Sequence, residues 1–379
     1  MATSLPALVA AAARSVPLPG GEKAANLHGL HDPAAPRAAR ALPGWLPWFG
    51  GRLVAGIATL FVISLIVFIA TQALPSDPAR VVLGPEATEE SVTTLRRQLG
   101  LDQPIYVQYA RWTARAMTGD LGISLDSGVT AGSIITDRLG NTLALMAAVL
   151  TLTVPLSFLI GVALARRRDG PMDRHAMTLL ILFKALPSFT VAIALIVLFS
   201  TTVFQWLPAV SLLDPDRSPF AQPLFLMLPA ATLILTVLPF LTRMIRSAMI
   251  ETLESEFVTA ARLRGIPERR IVWRHGVPNS LVPVIQGIAM VTRMLLGGAL
   301  IVEVVFSYPG IGNALNAAIE MRDIPVIQAI TLVTAVGVVL INLLADLATV
   351  LVTPKLRTAS RPRLRAGTRA RLKLKGGGV

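Results

Sequence analysis

Apolar residues gather in six long blocks, at about Leu53–Ala73, Asn141–Ala165, Ala176–Phe204, Leu224–Thr242, Leu281–Val302 and Val326–Val352. Each comes close to or exceeds the roughly 20 residues a helix needs to cross about 30 Å of hydrocarbon. The pattern therefore predicts an all-α membrane protein with six transmembrane helices. Between the fourth and fifth blocks lies a polar island, Glu251 to Ser280, reading ETLESEFVTAARLRGIPERRIVWRHGVPNS. A polar helical segment between two spans must meet water or a partner in water. Gly265 divides the island into two predicted helices, and Pro267 suits the first position of the second.

The polar stretch between the first two blocks is longer and carries its own helix signals. Thr88 followed by Glu89, Glu90 and Ser91 predicts a helix through Leu99, and Pro104 predicts the start of another containing Tyr106, Tyr109 and Trp112. Residues 74–140 thus read as a small helical cap, either a folded lid or a docking surface for a soluble protein. Residues 1–45 are rich in Ala, Pro and Gly without periodicity and read as a disordered extension. The six-span region runs over 46–357, with its polar loop at 243–280. Residues 358–379 form a basic tail suited to anionic lipid headgroups. The first block lacks the short apolar region and small-residue site of a cleaved secretory signal, so it is expected to be retained.

Composition agrees: 53% of the 379 residues are hydrophobic and 15% are charged. The net charge of +13 is the sum expected when Lys and Arg concentrate in cytoplasmic loops, and calls for no nucleic acid. With the N-terminus placed inside, most of the 35 Lys and Arg fall on the inner side. These include Arg166, Arg167, Arg168 and Arg174 after the second block, and Arg243, Arg246, Arg262, Arg264, Arg269, Arg270 and Arg274 around the polar island. Both termini are then predicted cytoplasmic. The absence of Cys excludes disulfides, thiolate metal sites and a cysteine nucleophile.

Three ordered motif blocks carry a resemblance. After the first span come LPSDPAR, LGPEAT, LRRQLGLDQPIYVQY and GDLGISL. In the island, Thr259-Ala260-Ala261 is followed after three residues by Gly265, and after nine more by His275-Gly276-Val277-Pro278. Downstream stand Glu303-Val304-Val305-Phe306-Ser307-Tyr308-Pro309-Gly310-Ile311-Gly312 and Arg322-Asp323-Ile324-Pro325-Val326. From about Arg52 to Arg357 the chain resembles an inner-membrane permease subunit of an ATP-binding cassette importer, in the dipeptide/oligopeptide/nickel branch.

The resemblance implies a type I importer permease fold in a bacterial inner (plasma) membrane. It also implies a homologous second permease, two ATP-binding subunits that hold ATP and Mg, and an extracytoplasmic solute-binding protein, with no cofactor in this chain. It places Glu256, Thr259, Ala260, Ala261, Gly265, Arg274 and Pro278 in a loop that couples to the ATPase. Glu303, Phe306, Pro309, Gly310, Gly312, Arg322 and Asp323 would belong to the outer gate or the face toward the solute receptor. On physical grounds, Ala260 and Ala261 suit a close-packing face and Gly265 a tight turn. Thr259 and His275 depart from the family's usual Glu and Ile, Ile324 from an aromatic, and Val352-Thr353-Pro354-Lys355 from Leu-Asp-Pro-Arg. These departures leave the cargo open among a peptide, a nickel chelate, an opine and a modified sugar.

Charges inside the blocks are candidates for the translocation path. Arg293 lies mid-span, where a lipid-facing cation costs at least about 2.5–3.5 kcal/mol on insertion scales. It is expected either to meet an anionic cargo group or to make an interhelical bond. Lys184 either joins the path or snorkels to the cytoplasmic surface, and Gln286 is a further polar candidate. Enzyme chemistry finds no support. There is no G-x-x-x-x-G-K-[ST] cradle, H-E-x-x-H or G-x-S-x-G, and none of the four His has a second catalytic group at a recognisable spacing. Asp214-Pro215-Asp216 reads as a turn. A passive channel would need no coupling loop. The sequence therefore points to a transport subunit whose ATP hydrolysis occurs in a partner chain.

Overall fold

A computed structural model describes residues 45–73, 78–83 and 86–352, so the predicted N-terminal extension and basic tail lie outside the described residues. The helices are α1 Trp45–Gln72, α2 Pro78–Leu83, α3 Glu89–Leu99, α4 Ile105–Met117, α5 Ala131–Arg166, α6 Pro171–Ala185 and α7 Ser188–Ile196. There follow α8 Pro223–Leu253, α9 Glu256–Leu263, α10 Glu268–Ile271, α11 Val277–Val305, α12 Ile311–Glu320 and α13 Ile324–Val352. No strand occurs among the described residues. Five helical segments are long and apolar enough to cross a membrane, and a sixth span is available if the bent pair α6–α7 is one.

The expected third span over Ala176–Phe204 is that bent pair. The helix breaks at Leu186–Pro187 and the halves meet at 98°. Proline removes one ladder N–H and forces its predecessor out of the helical region, and Leu186 is extended at φ −81°, ψ 131°. The first half is pinned by Arg246 of α8, which donates from Nε and Nη2 to the two Asp173 carboxylate oxygens at 2.7 and 2.6 Å. By contrast α8 runs through Pro229 and Pro239 without a break and continues past the expected boundary to Leu253. The polar island is therefore shorter than its sequence suggests, because α8 and the helical run from Glu268 to Val305 absorb both of its ends.

The core lies where α5, α8 and α11 meet. Leu145, Val149, Leu241, Ile245, Met249, Val291 and Leu295 are buried there. Close approach depends on glycine: a Cβ on Gly161 would lie 2.9 Å from Ile245 of α8, and one on Gly287 would lie 2.7 Å from the Met244 sulfur. A smaller cluster of Ala131, Ile135, Ile311, Val326, Ala329 and Ile330 ties the start of α5 to α12 and α13. α1 packs along α13 and leaves most of its apolar surface exposed.

The helices α3 and α4 form where Thr88 and Pro104 predict them. The Thr88 hydroxyl caps α3 by accepting from Ser91 N at 3.3 Å, and Gly100 ends it at φ +70°. α4 is joined to α1 by the Tyr109 hydroxyl on Ser64 Oγ at 2.8 Å, and by Phe61, Phe68, Tyr109 and Trp112 packed ring to ring.

Candidate functional site

At the end of the bundle where α8 finishes, the chain makes a short hairpin. α9 closes with the paired bonds of a Schellman motif: Gly265 N donates to Arg262 O at 2.9 Å, and Ile266 N to Ala261 O at 3.2 Å. Gly265 sits at φ +75°, a conformation that L side chains rarely adopt. Pro267 takes the capping position of α10, one place before the expected first helical position. Arg262 locks the turn by donating to Glu268 Oε1 at 2.5 Å and to Leu253 O at 3.1 Å, joining α8, α9 and α10.

The two alanines do not share a face, contrary to expectation. Ala261 and Val258 are buried against the bundle, whereas Thr259 and Ala260 are exposed. The reason is the 100° step between successive helical residues. The outward face is completed by Phe257, 47% exposed, and Leu263, 85% exposed, at roughly one-turn spacing with Ala260. Glu256, Gly265, Arg274 and Pro278 are also exposed. A hairpin fixed at its turn thus leaves small and apolar side chains exposed on one face.

At the opposite end, the downstream signature forms a buried frame. The Glu303 carboxylate accepts from Thr142 Oγ1 at 2.7 Å and from Gly312 N at 2.6 Å. Thr142 Oγ1 in turn accepts from Ile311 N at 2.9 Å. The Tyr308 hydroxyl donates to Asn141 O at 2.8 Å, and Asn141 Nδ2 donates to Pro309 O at 2.8 Å. Burial, followed by the nearby Glu303 charge, pushes the Tyr308 phenol above its ordinary value. It therefore stays a donor. Asp323 caps α13 through Val326 N at 3.4 Å and holds the 120–125 loop through Ser124 Oγ at 2.5 Å and Leu125 N at 3.2 Å.

Of the residues expected at the outer gate or receptor face, Glu303, Phe306, Gly310, Gly312 and Asp323 are buried, Pro309 is half-buried and Arg322 is exposed. Most of them fasten helices together and offer no surface of their own. Sequence reasoning missed Asn141, Thr142 and Ser124, the other half of this frame. Their signal was faint: two polar residues at the start of an apolar block, and a serine within GDLGISL.

The intramembrane candidates fall into two separate places. Arg293 donates to Asn342 Oδ1, and Gln286 to Thr349 Oγ1 at 2.6 Å. With Arg52 and Asp346, paired at 3.3 Å, they form a polar seam between α1, α11 and α13. Lys184 instead lines a cavity of about 450 Å³ with Arg243, Ser247, Glu251 and Pro283, near the hairpin end of α8. No group of His, Asp and Glu suited to a metal occurs among the described residues.

Comparison with known proteins now gives this geometry its class. Residues 157–358 match the binding-protein-dependent transport system inner membrane component, and 47–146 match the N-terminal part of such membrane components. The chain belongs to this family: it is a multi-pass inner-membrane permease subunit of an ATP-driven, binding-protein-dependent importer, with ATPase activity residing in partner subunits.

Among individual relatives, it is 35% identical over 306 residues to the glutathione transport system permease protein GsiC of Escherichia coli O6:H1, covering 81% of this chain and 97% of that one. It is 34% identical over the same length, with the same coverage, to the protein of that name from Salmonella paratyphi A. A solved structure of the MetNI methionine ABC transporter in inward-facing conformations is similar at a TM-score of 0.45 and 16% identity, covering 56% of this chain and 93% of that one.

Proposed function

We propose that the chain supplies half of a translocation path, completed by a homologous second permease, and that the α9 hairpin docks on the ATP-binding subunit. The observation that carries this reading is the outward face of Phe257, Ala260 and Leu263 on a hairpin locked by Gly265 and Arg262. An exposed apolar face next to water normally marks a protein contact, and a locked turn transmits movement where a loose one would absorb it. The hairpin then lies in the cytoplasm, consistent with its basic residues. Both termini lie there too, and α3, α4 and the Glu303 frame lie on the outer side.

The Glu303 frame acts as a brace for the outer gate, with Arg322 as its exposed member. Lys184 and Arg243 line the inner mouth of the path and present cations to a carboxylate-bearing cargo. Arg293 and Gln286 serve as ties across the seam between α11 and α13. Since the relatives named above transport glutathione, the proposed cargo is a short peptide or peptide-like acid delivered by the external receptor.

The docking claim is tested by Leu263→Asp in the assembled importer. The expected result is a complex that no longer retains the ATPase subunit, or whose ATP turnover no longer responds to loaded receptor, while the chain stays in the membrane. Normal receptor-stimulated turnover would overturn the docking assignment.

A further inference from the structure

A cavity of about 330 Å³ opens between the upper turn of α1, the turn that follows α3, the helix α4, the 120–125 loop and the start of α13. Its polar wall is Gln72, Gln108, Arg111, Arg115 and Gln328, and Phe68, Trp112 and Leu125 contribute apolar surface. Arg115 is already neutralised by Asp120 at 2.8 Å. Arg111 has no carboxylate within 4.0 Å among the described residues, and the Trp112 indole N–H makes no bond there. The backbone of Gly100 approaches the Arg111 guanidinium so closely that an added Cβ would stand 3.2 Å from Nη1. The cavity therefore carries a cation with no carboxylate partner, its head beside the Gly100 turn.

The height of this cavity identifies its occupant. Tyr109 of α4 reaches Ser64, eight residues or about 12 Å down α1 from Gln72. α4 therefore lies alongside the membrane-crossing part of α1, and the cavity, at Phe68 and Gln72, sits at the level of the headgroups. Trp and Tyr with a nearby guanidinium are the side chains that settle at that depth.

We propose that this cavity binds the phosphate headgroup of an anionic phospholipid of the adjacent leaflet. Arg111 and Trp112 would donate to the phosphate oxygens. Gln108 is fully engaged by Gln72, Leu101 and Gln103, so the amide capacity that Gln72 and Gln328 keep beyond their bonds to Gln108 and Thr71 would serve the glycerol hydroxyls. The acyl chains would follow the exposed apolar face of α1, where Phe61, Ile66 and Ile69 are 56%, 59% and 50% exposed. A bound lipid would join α1, α4 and α13 beyond the contacts the protein makes alone.

The test is native mass spectrometry of the assembled importer, delipidated in mild detergent and titrated with phosphatidylglycerol or phosphatidylcholine of matched acyl chains. The wild type should retain one phosphatidylglycerol more tightly than phosphatidylcholine. Arg111→Gln should weaken that binding about tenfold, the scale of one charge-assisted hydrogen bond. Trp112→Phe, which keeps the ring and removes the N–H, should also weaken it. Arg97→Gln, an exposed cation on α3, should leave it unchanged.

Millimolar inorganic phosphate should not displace the lipid, because the acyl chains add affinity that a free anion lacks. Equal binding by the wild type and Arg111→Gln would overturn the proposal. Displacement by phosphate would replace the lipid with a soluble anion.

Discussion

At the scale of single residues, the outer frame turns on Glu303 and the glycines that face it. Side chains at Gly310 and Gly312 would overlap the Glu303 carboxylate, and at Gly312 also the Leu300 backbone. Gly312→Ala should therefore lower the melting temperature of the purified protein and cut transport, with nothing removed from the frame's chemistry. Glu303→Leu would strand the Thr142 hydroxyl and the Gly312 N–H, at about 1–3 kcal/mol for each buried group left unpaired. Near the other end, the Asp173–Arg246 pair has side chains only 3% and 16% exposed. Breaking a buried pair from one side costs up to about 3–5 kcal/mol. Asp173→Asn should thus destabilise the chain more than Glu268→Gln, whose partner Arg262 is a solvent-exposed neighbour worth about 0–1 kcal/mol. Thermal unfolding of the two variants in one detergent checks the order.

Among the elements, the hairpin is where sequence and structure meet most closely, and Gly265 shows why. A glycine between two polar helical segments is a local signal, and the turn at φ +75° is a local structure. Proline, fixed near φ −65° and lacking the N–H that Gly265 gives to Arg262, cannot take that place. Gly265→Pro should abolish receptor-stimulated ATP turnover in reconstituted vesicles and leave membrane insertion intact. Retained stimulation would mean that the hairpin is not the coupling element.

The caps of α3 and the start of α4 were legible for the same reason, because Thr88 and Pro104 act on their own neighbours. Only the size of the 98° elbow was not. Pro187 marked the place, yet Pro229 and Pro239 carry the same mark inside an unbroken α8. Tertiary ties such as Arg246 on Asp173 hold the bent α6 against α8, and apolar periodicity does not encode them. The faces of Ala260 and Ala261 were likewise invisible to motif spacing, because adjacency in sequence is not adjacency on a helix.

For the molecule as a whole, the number and order of the spans and the membrane setting were legible because runs of about 20 apolar residues have few other uses. Which long-range polar groups would meet was not legible. Thr142 finds Glu303, and Ser124 finds Asp323, across gaps of 161 and 199 residues. The family accounts for the setting: a permease subunit works with substrate-binding and ATPase partners, and ATP hydrolysis lies in the ATPase and not in this chain.

We propose above all that α9 joins this chain to that ATPase. The most direct measurement is affinity purification of the tagged full-length chain and of its Leu263→Asp variant, followed by ATPase assay with and without receptor and a short-peptide cargo. The wild type should bring down a second permease and an ATPase stimulated by loaded receptor, and the variant should lose that stimulation. A wild-type chain that purifies alone, or a variant stimulated as strongly as the wild type, would contradict it.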